Sequence, residues 1–192
     1  MTIPENQVIL ASRSPRRFEL LKKIVPNFDV IPSSADEIFQ SELSPRENAI
    51  AVACAKALAV SKNHPGQFVI GADTIVVLND EIIGKPKDAD DARNILKRLS
   101  GKQHRVITGV VVVHSEPMKD AGVSEVNIRL LNDDEINRYV ETGEPLDKAG
   151  AYAIQGKGAF MVDSYSGSYP NIVGLPLDIV KTLLERAGYS LT

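Results

Sequence analysis

Apolar runs that read as strands alternate along this chain with segments that open on helix caps, and that alternation limits it to a mixed α/β fold. Val8–Ala11 reads as a buried strand. It runs into Ser14-Pro15, an N-cap followed by a proline suited to the first helical turn, which predicts a helix from Pro15 to about Ile24. FDVIP (28–32) is a short alternating strand, and the loop SSADEIFQSEL leads to a helix from Pro45 to about Asn63. Segment 67–86 is strand-rich. The spacing predicts a helix from Ala89 to Leu99, ended by Ser100-Gly101. Strands at about 104–114 and 121–131 flank SEPMKD as a hairpin-like pair, and Asp133 opens a helix to about Glu141. A Gly-rich segment, 143–158, precedes the strand AFMVDSY, and Leu177–Ala187 reads as a closing amphipathic helix. With no fixed-period repeat and no low-complexity linker, residues 1–192 are expected to form one domain with an elongated or two-lobed body.

The helix start Ser14-Pro15-Arg16-Arg17 has an internal control in Ser44-Pro45-Arg46-Glu47. The second copy completes a capping box, because Glu47 stands three residues after Ser44. The first copy puts Arg17 in that place, beside a helix end that already carries partial positive charge. Such a start sacrifices helix stability and concentrates charge where an anion such as phosphate would bind. Two solvated arginines on a surface helix are the plain alternative. The formal net charge is −3 and no basic run occurs, which argues against a polymeric nucleic acid partner but leaves a nucleotide open. Cys54, the single cysteine, excludes an internal disulfide and a cysteine-based zinc site. No signal-peptide pattern and no apolar run of membrane-spanning length is present, so a reducing cytoplasm is the expected setting, with no membrane partner.

Four further places could carry chemistry. In IGADTIVVLNDEIIGKP, Asn79-Asp80 suits a two-residue turn. That register puts Leu78 opposite Glu81 and, counting back, Thr74 opposite Lys85, with Asp73 nearby. An ordinary cross-strand ion pair is the plain alternative. Lys56 falls in a stripe with Ala49, Val52, Ala53 and Val60 on the Ala-rich helix, as a functional cation or as a snorkelling lysine. Asp36-Glu37 lies in a loop and gains interest if Asp73 is near, since two carboxylates can hold a hard divalent cation. In DKAGAYAIQGKGAF, Gln155 stands among small residues. Its amide can donate and accept side by side, which matches a base edge bearing a carbonyl and an N–H; otherwise it is a solvent-facing loop residue. No P-loop, G-x-G-x-x-G, H-E-x-x-H or G-x-S-x-G occurs.

Taken together, the phrases LASRSPRRFELL, GADTIVVLNDEIIGKP, LSGKQHRVITGV, YVETGEPLDKAGAYAIQGKGA and GSYPNIVGLPL resemble the Maf family of nucleoside triphosphate pyrophosphatases, in the family's order and over nearly the whole chain. The resemblance implies an α/β fold with a mixed sheet flanked by helices, an elongated two-lobed body and a central cleft, similar to the inosine triphosphate pyrophosphatases. It implies hydrolysis of a nucleoside triphosphate to monophosphate and pyrophosphate, with a divalent metal (Mg or Mn), and a possible homodimer. DKAGAYAIQGKGA looks like the dTTP/UTP branch. By motif, Asp73 is the proton acceptor, Arg16, Thr74 and Gln155 are specificity positions, and Arg16, Arg17, Lys56 and Lys85 bind substrate. Glu37 and Asp73 are the metal-site acids. Ile128 and Tyr165 depart from the family's usual residues and read as packing changes. The alternatives are a 7-methyl-GTP pyrophosphatase of the same family and a nucleotide-binding regulator of cell division.

Overall fold

The alternating pattern produces a seven-stranded mixed sheet with flanking helices in the computed structural model, which describes residues 7–191. In chain order the elements are β1 (Val8–Leu10), α1 (Pro15–Leu21), β2 (Asp29–Val30), α2 (Pro45–Ser61), β3 (Phe68–Leu78), β4 (Glu81–Ile83), α3 (Ala89–Leu99) and β5 (Gln103–Val113). There follow β6 (Pro117–Ile128), α4 (Asp133–Glu141), β7 (Val162–Ser166), α5 (Tyr169–Val173) and α6 (Leu177–Arg186). The strand order is β2-β1-β3-β5-β6-β7, with β4 paired to β3. The β1 strand runs parallel to both β2 and β3, whereas β3/β4 and β6/β7 are antiparallel. The fold class is the one expected.

Chain contacts define two units. One comprises Met1–Asp73, Thr108–Gly122 and Gly174–Thr192; the other comprises Thr74–Ile107 and Val123–Val173. The first unit is organised by a close approach of α2. A Cβ at Gly71 on β3 would collide with the Ala53 carbonyl oxygen and with Ala57, and one at Gly109 on β5 would collide with the Ala49 backbone. Only glycine leaves room for a helix backbone there, and the small residues of α2 complete the fit. Ala53, Ala57 and Val60 pack with Ile9, Val69, Val111 and Val113. Cys54 is partly buried against this cluster, as expected of a small packed residue. The second unit has its own aliphatic core, in which Ile95, Leu96 and Leu99 of α3 meet Ile136 and Val140 of α4, with Val76, Ile83, Val126 and Met161.

Local chemistry explains both the agreements and the departures. Asn79 and Asp80 take φ of 50° and 65°, the conformation of a type I′ hairpin turn. Leu78 pairs with Glu81 as read from the sequence. The ladder stops at Val76↔Ile83, so the expected Thr74–Lys85 pairing lies beyond its last pair. β6 starts at Pro117, inside the segment expected to be a turn, because a strand's first residue needs no N–H partner. The Gly-rich segment forms three 3-10 turns, Glu144–Asp147, Ala149–Ala151 and Gly156–Met161. The last of these takes Ala159, Phe160 and Met161 from the expected strand AFMVDSY. The short helix α5 lies in GSYPNIV, which carries too few residues for a helical period to be read. No helix among the described residues is long and apolar enough to cross a membrane.

Candidate active site

Side chains on a strand alternate between faces, so Asp73 shares a face with Gly71, the residue on which α2 rests. Lys56 projects from the same helix, one turn beyond Val52 and Ala53. The close approach therefore delivers its ammonium to the carboxylate: Lys56 Nζ is 2.7 Å from Asp73 Oδ1 and 2.7 Å from Glu37 Oε1. The Lys56 and Asp73 side chains are buried, at 11% and 8% exposure, while Glu37 is 40% exposed. The stripe reading of Lys56 holds: it is buried on α2 with Ala49, Val52, Ala53 and Val60, and its ammonium is paired with two acids. Of the acidic pair in the loop, Glu37 takes the lysine and Asp36 faces solvent.

Burial raises the Asp73 carboxyl above its ordinary value. Lys56 and then Arg17 oppose that rise, and Glu37 adds to it. Arg17 carries the converse imprint. Desolvation lowers its guanidinium, while Asp73 and Glu37 hold it up. These two acids and two cations act in one another's field.

The two helix starts differ as their sequences predict. Ser44 and Glu47 form the complete capping box of α2. Ser14 caps α1 by accepting from the Arg17 amide, at 3.4 Å, and the first turn of α1 carries no acid. The Arg17 side chain turns back over this end. Its Nε donates to the Gly174 carbonyl (2.8 Å) and its Nη1 to Ser12 Oγ (3.3 Å). Ser12 is buried and also accepts from the Ser14 amide. Arg16 is half-buried and forms no ion pair or hydrogen bond among the described residues.

Two residues of this site escaped the sequence reading. Ser12 is one. Asn48 is the other: its Oδ1 accepts from the Gln40 amide at 2.8 Å, and its Nδ2 donates to the Gln40 and Leu43 carbonyls. Asn48 thereby fastens the loop that carries Glu37 to the first turn of α2. Its one-residue offset from the Ala49 stripe was the available signal, and an asparagine one turn inside a helix reads as surface.

Thr74, Lys85 and Gln155 belong to the second unit. Thr74 is half-buried on β3, and Lys85 is exposed just after β4. Gln155 is half-buried in extended backbone (φ −109°, ψ 158°) and immediately precedes the turn Gly156–Met161.

A divalent cation fits the donor chemistry of the first unit. Glu37 and Asp73 supply hard carboxylate oxygens that converge on one ammonium. Among the described residues no group of three or more His, Cys, Asp or Glu surrounds a single point. Such a set suits Mg²⁺, which is commonly held by one or two carboxylates with substrate phosphates and water completing its shell.

Comparison with known proteins identifies the family and the fold. A protein of Caldicellulosiruptor saccharolyticus named dTTP/UTP pyrophosphatase is 44% identical, covering 96% of each chain. A Dictyoglomus turgidum protein of the same name is 49% identical, covering 96% of this chain and 98% of its own. Among solved structures, the Staphylococcus aureus Ham1 protein superposes with a TM-score of 0.56 over 93% of this chain and 98% of that one, at 16% identity, which shows a shared fold. The family described as Maf-like protein matches residues 7–187, and the chain belongs to it.

Proposed function

We propose that this protein hydrolyses dTTP and UTP to the monophosphate and pyrophosphate. The observation that carries the reading is the buried Lys56 ammonium held between Glu37 and Asp73, with Arg17 in the same field. A triphosphate carries several negative charges, so cations and oxygen-ligated metal must share them. Arg16 is available to the substrate without breaking an existing bond. Arg17 is anchored at Gly174 and Ser12 and contributes a charge fixed in place. A bound divalent cation would be held by Glu37 and Asp73, and it would screen phosphate charge and polarise the phosphorus. Asp73 accepts the proton of the attacking water. Burial brings its pKa closer to the working pH, and Lys56 orients the carboxylate. Lys85 is assigned to phosphate binding, and Thr74 and Gln155 to base selection, by the motifs they occupy.

Gln155 offers an amide N–H and a carbonyl side by side. Uracil and thymine present O4 and N3–H, which pair with both. Cytosine presents a donor and an unprotonated nitrogen and leaves a polar group unpaired, at a cost of about 1–3 kcal/mol.

The test is turnover by Asp73→Asn on a panel of nucleoside triphosphates. Pyrophosphate release from dTTP and UTP should fall by about 10²–10⁴-fold, while binding of a non-hydrolysable analogue stays within a few-fold. A fully active variant refutes the role of Asp73. Release of single phosphate, or a wild-type preference for 7-methyl-GTP, refutes the assigned reaction or its substrate.

A further inference from the structure

The turn that follows Gln155 is held by one remote carboxylate. Glu144 Oε1 accepts from the Lys157 amide at 3.2 Å, and Glu144 Oε2 accepts from the Gly158 amide at 3.0 Å. These are amides of the first residues of the 3-10 turn Gly156–Met161, whose N-terminal N–H groups have no partner within the turn. The Gln155 side chain does not cap it. The cap comes instead from Glu144, 13 and 14 residues back along the chain, and each carboxylate oxygen takes one N–H in a charge-assisted pair.

Glu144 is itself fixed. Its amide donates to Thr142 Oγ1 (3.3 Å), and its carbonyl accepts from Lys148 Nζ (2.9 Å). Thr142 is the C-cap of α4, and α4 is buried through Ile136, Tyr139 and Val140. The backbone between is shaped to the carboxylate. Gly156 has φ +83°, and a Cβ there would collide with Glu144 Oε1. A Cβ at Gly158 would come within 2.7 Å of both the Ala153 carbonyl oxygen and the Tyr139 hydroxyl, so the chain closes back against Ala153. On the other side of Gln155, the buried Tyr152 hydroxyl pairs with His104 Nε2 at 2.7 Å. Residues 153–155 therefore span the gap between two anchored points, and Gln155 stands one residue before Gly156, where Glu144 acts.

We propose that Glu144 is a positioning residue for base selection: its carboxylate, bridging the Lys157 and Gly158 amides, sets the place and orientation of Gln155. The proposal rests on the reading of Gln155 given above. A carboxamide separates uracil from cytosine only while its own orientation is held. A loop free to shift lets the amide turn over and accept either base. Glutamine at position 144 keeps one acceptor oxygen but turns an NH₂ toward the second amide, so it retains one of the two bonds. Alanine retains neither.

The experiment measures kcat and KM for UTP and CTP in the wild type, Glu144→Ala, Glu144→Gln, Gln155→Ala and the Glu144→Ala/Gln155→Ala pair, with amide exchange at Lys157 and Gly158 as a second readout. Glu144→Ala should lower the UTP/CTP ratio of kcat/KM about tenfold, chiefly through the KM for UTP. Glu144→Gln should lower it less. The double variant should lose no more selectivity than Gln155→Ala, and exchange should accelerate at the two amides in step with the lost selectivity. If Gln155→Ala loses selectivity and the Glu144 variants keep it, Glu144 does not position Gln155, although Gln155 still reads the base. If Gln155→Ala keeps selectivity, both the base reading and the proposal fall. If the losses add in the double variant, Glu144 acts by another route and the proposal is overturned. Should Glu144→Ala not fold, Glu144→Gln and its exchange rates decide the matter.

Discussion

Replacing Lys56 by methionine keeps most of the apolar stem of the side chain and removes its ammonium group, both the charge and the N–H donors that reach Glu37 and Asp73. In the native protein that charge serves a buried carboxylate and an exposed one, with Asp73 at 8% exposure and Glu37 at 40%. The two halves of the bridge should not be worth the same. An ion pair as open as the Glu37 half contributes about 0–1 kcal/mol. Stripping the partner from a buried carboxylate costs about 3–5 kcal/mol, because the charge that remains has lost its compensation. Lys56→Met should therefore lower the melting temperature by roughly 6–20 °C at neutral pH, at about 2–4 °C per kcal/mol for a chain of this size. Glu37→Gln should lower it by no more than a few degrees. The sign of the pH dependence follows from Asp73. Its folded pKa is raised, so the folded state holds the proton more tightly than the unfolded state does. The stability tied to that proton is complete below the ordinary carboxylate range and is lost as pH rises through the raised folded value. Lys56→Met removes the largest opposing influence, so its deficit should be small in acid and grow toward neutrality. Asp73→Asn in the same background should recover much of the loss, since the uncompensated carboxylate is then gone. Thermal melts across pH for the two single variants and the double variant provide the measurement. Equal deficits for Lys56→Met and Glu37→Gln, or a deficit that does not shrink in acid, would show that burial of Asp73 is not what the ammonium offsets.

His104 gives an opposite and separable pH effect. Burial pushes its imidazole from 6.5 down to about 4. The unfolded chain therefore binds the proton first, and stability present above the ordinary value is lost as pH falls from 6.5 toward 4, by about 3 kcal/mol in all. Urea titrations should show this slope in the wild type and its disappearance in His104→Gln. A single methyl tests the seat of α2. Gly71→Ala would drive a Cβ into the Ala53 carbonyl oxygen, costing about 1–3 kcal/mol and displacing Lys56 from Asp73, so stability and turnover should fall together. A Gly71→Ala protein with wild-type melting and rate would show that the helix can lift away at no cost.

By itself, the sequence determined what short-range chemistry controls. Caps and apolar periods placed α3 and α4 at their observed bounds, and Asn79-Asp80 set the hairpin register, because each depends on neighbours a few residues apart. The contrast between Arg17 and Glu47 was legible for the same reason, since a helix end reads its own first turn. Lys56, Glu37 and Asp73 could be named as candidates by type and by family motif. Their meeting could not be derived, because it depends on how far α2 sinks onto β3, and that depth is set by Gly71 and Gly109, which are far apart in the chain. In the sequence Arg17 reads as an anion ligand or as a solvated surface cation, and only the folded chain shows it bound to Gly174 and Ser12. Asn48 carries only its one-residue offset from the Ala49 stripe as a signal, and Glu144 carries none. Each acts through side-chain bonds to the backbone of another segment, and such bonds exist only after folding has brought that segment within reach. Tertiary structure decided these contacts because a polar side chain has no preferred partner until burial has taken its water away.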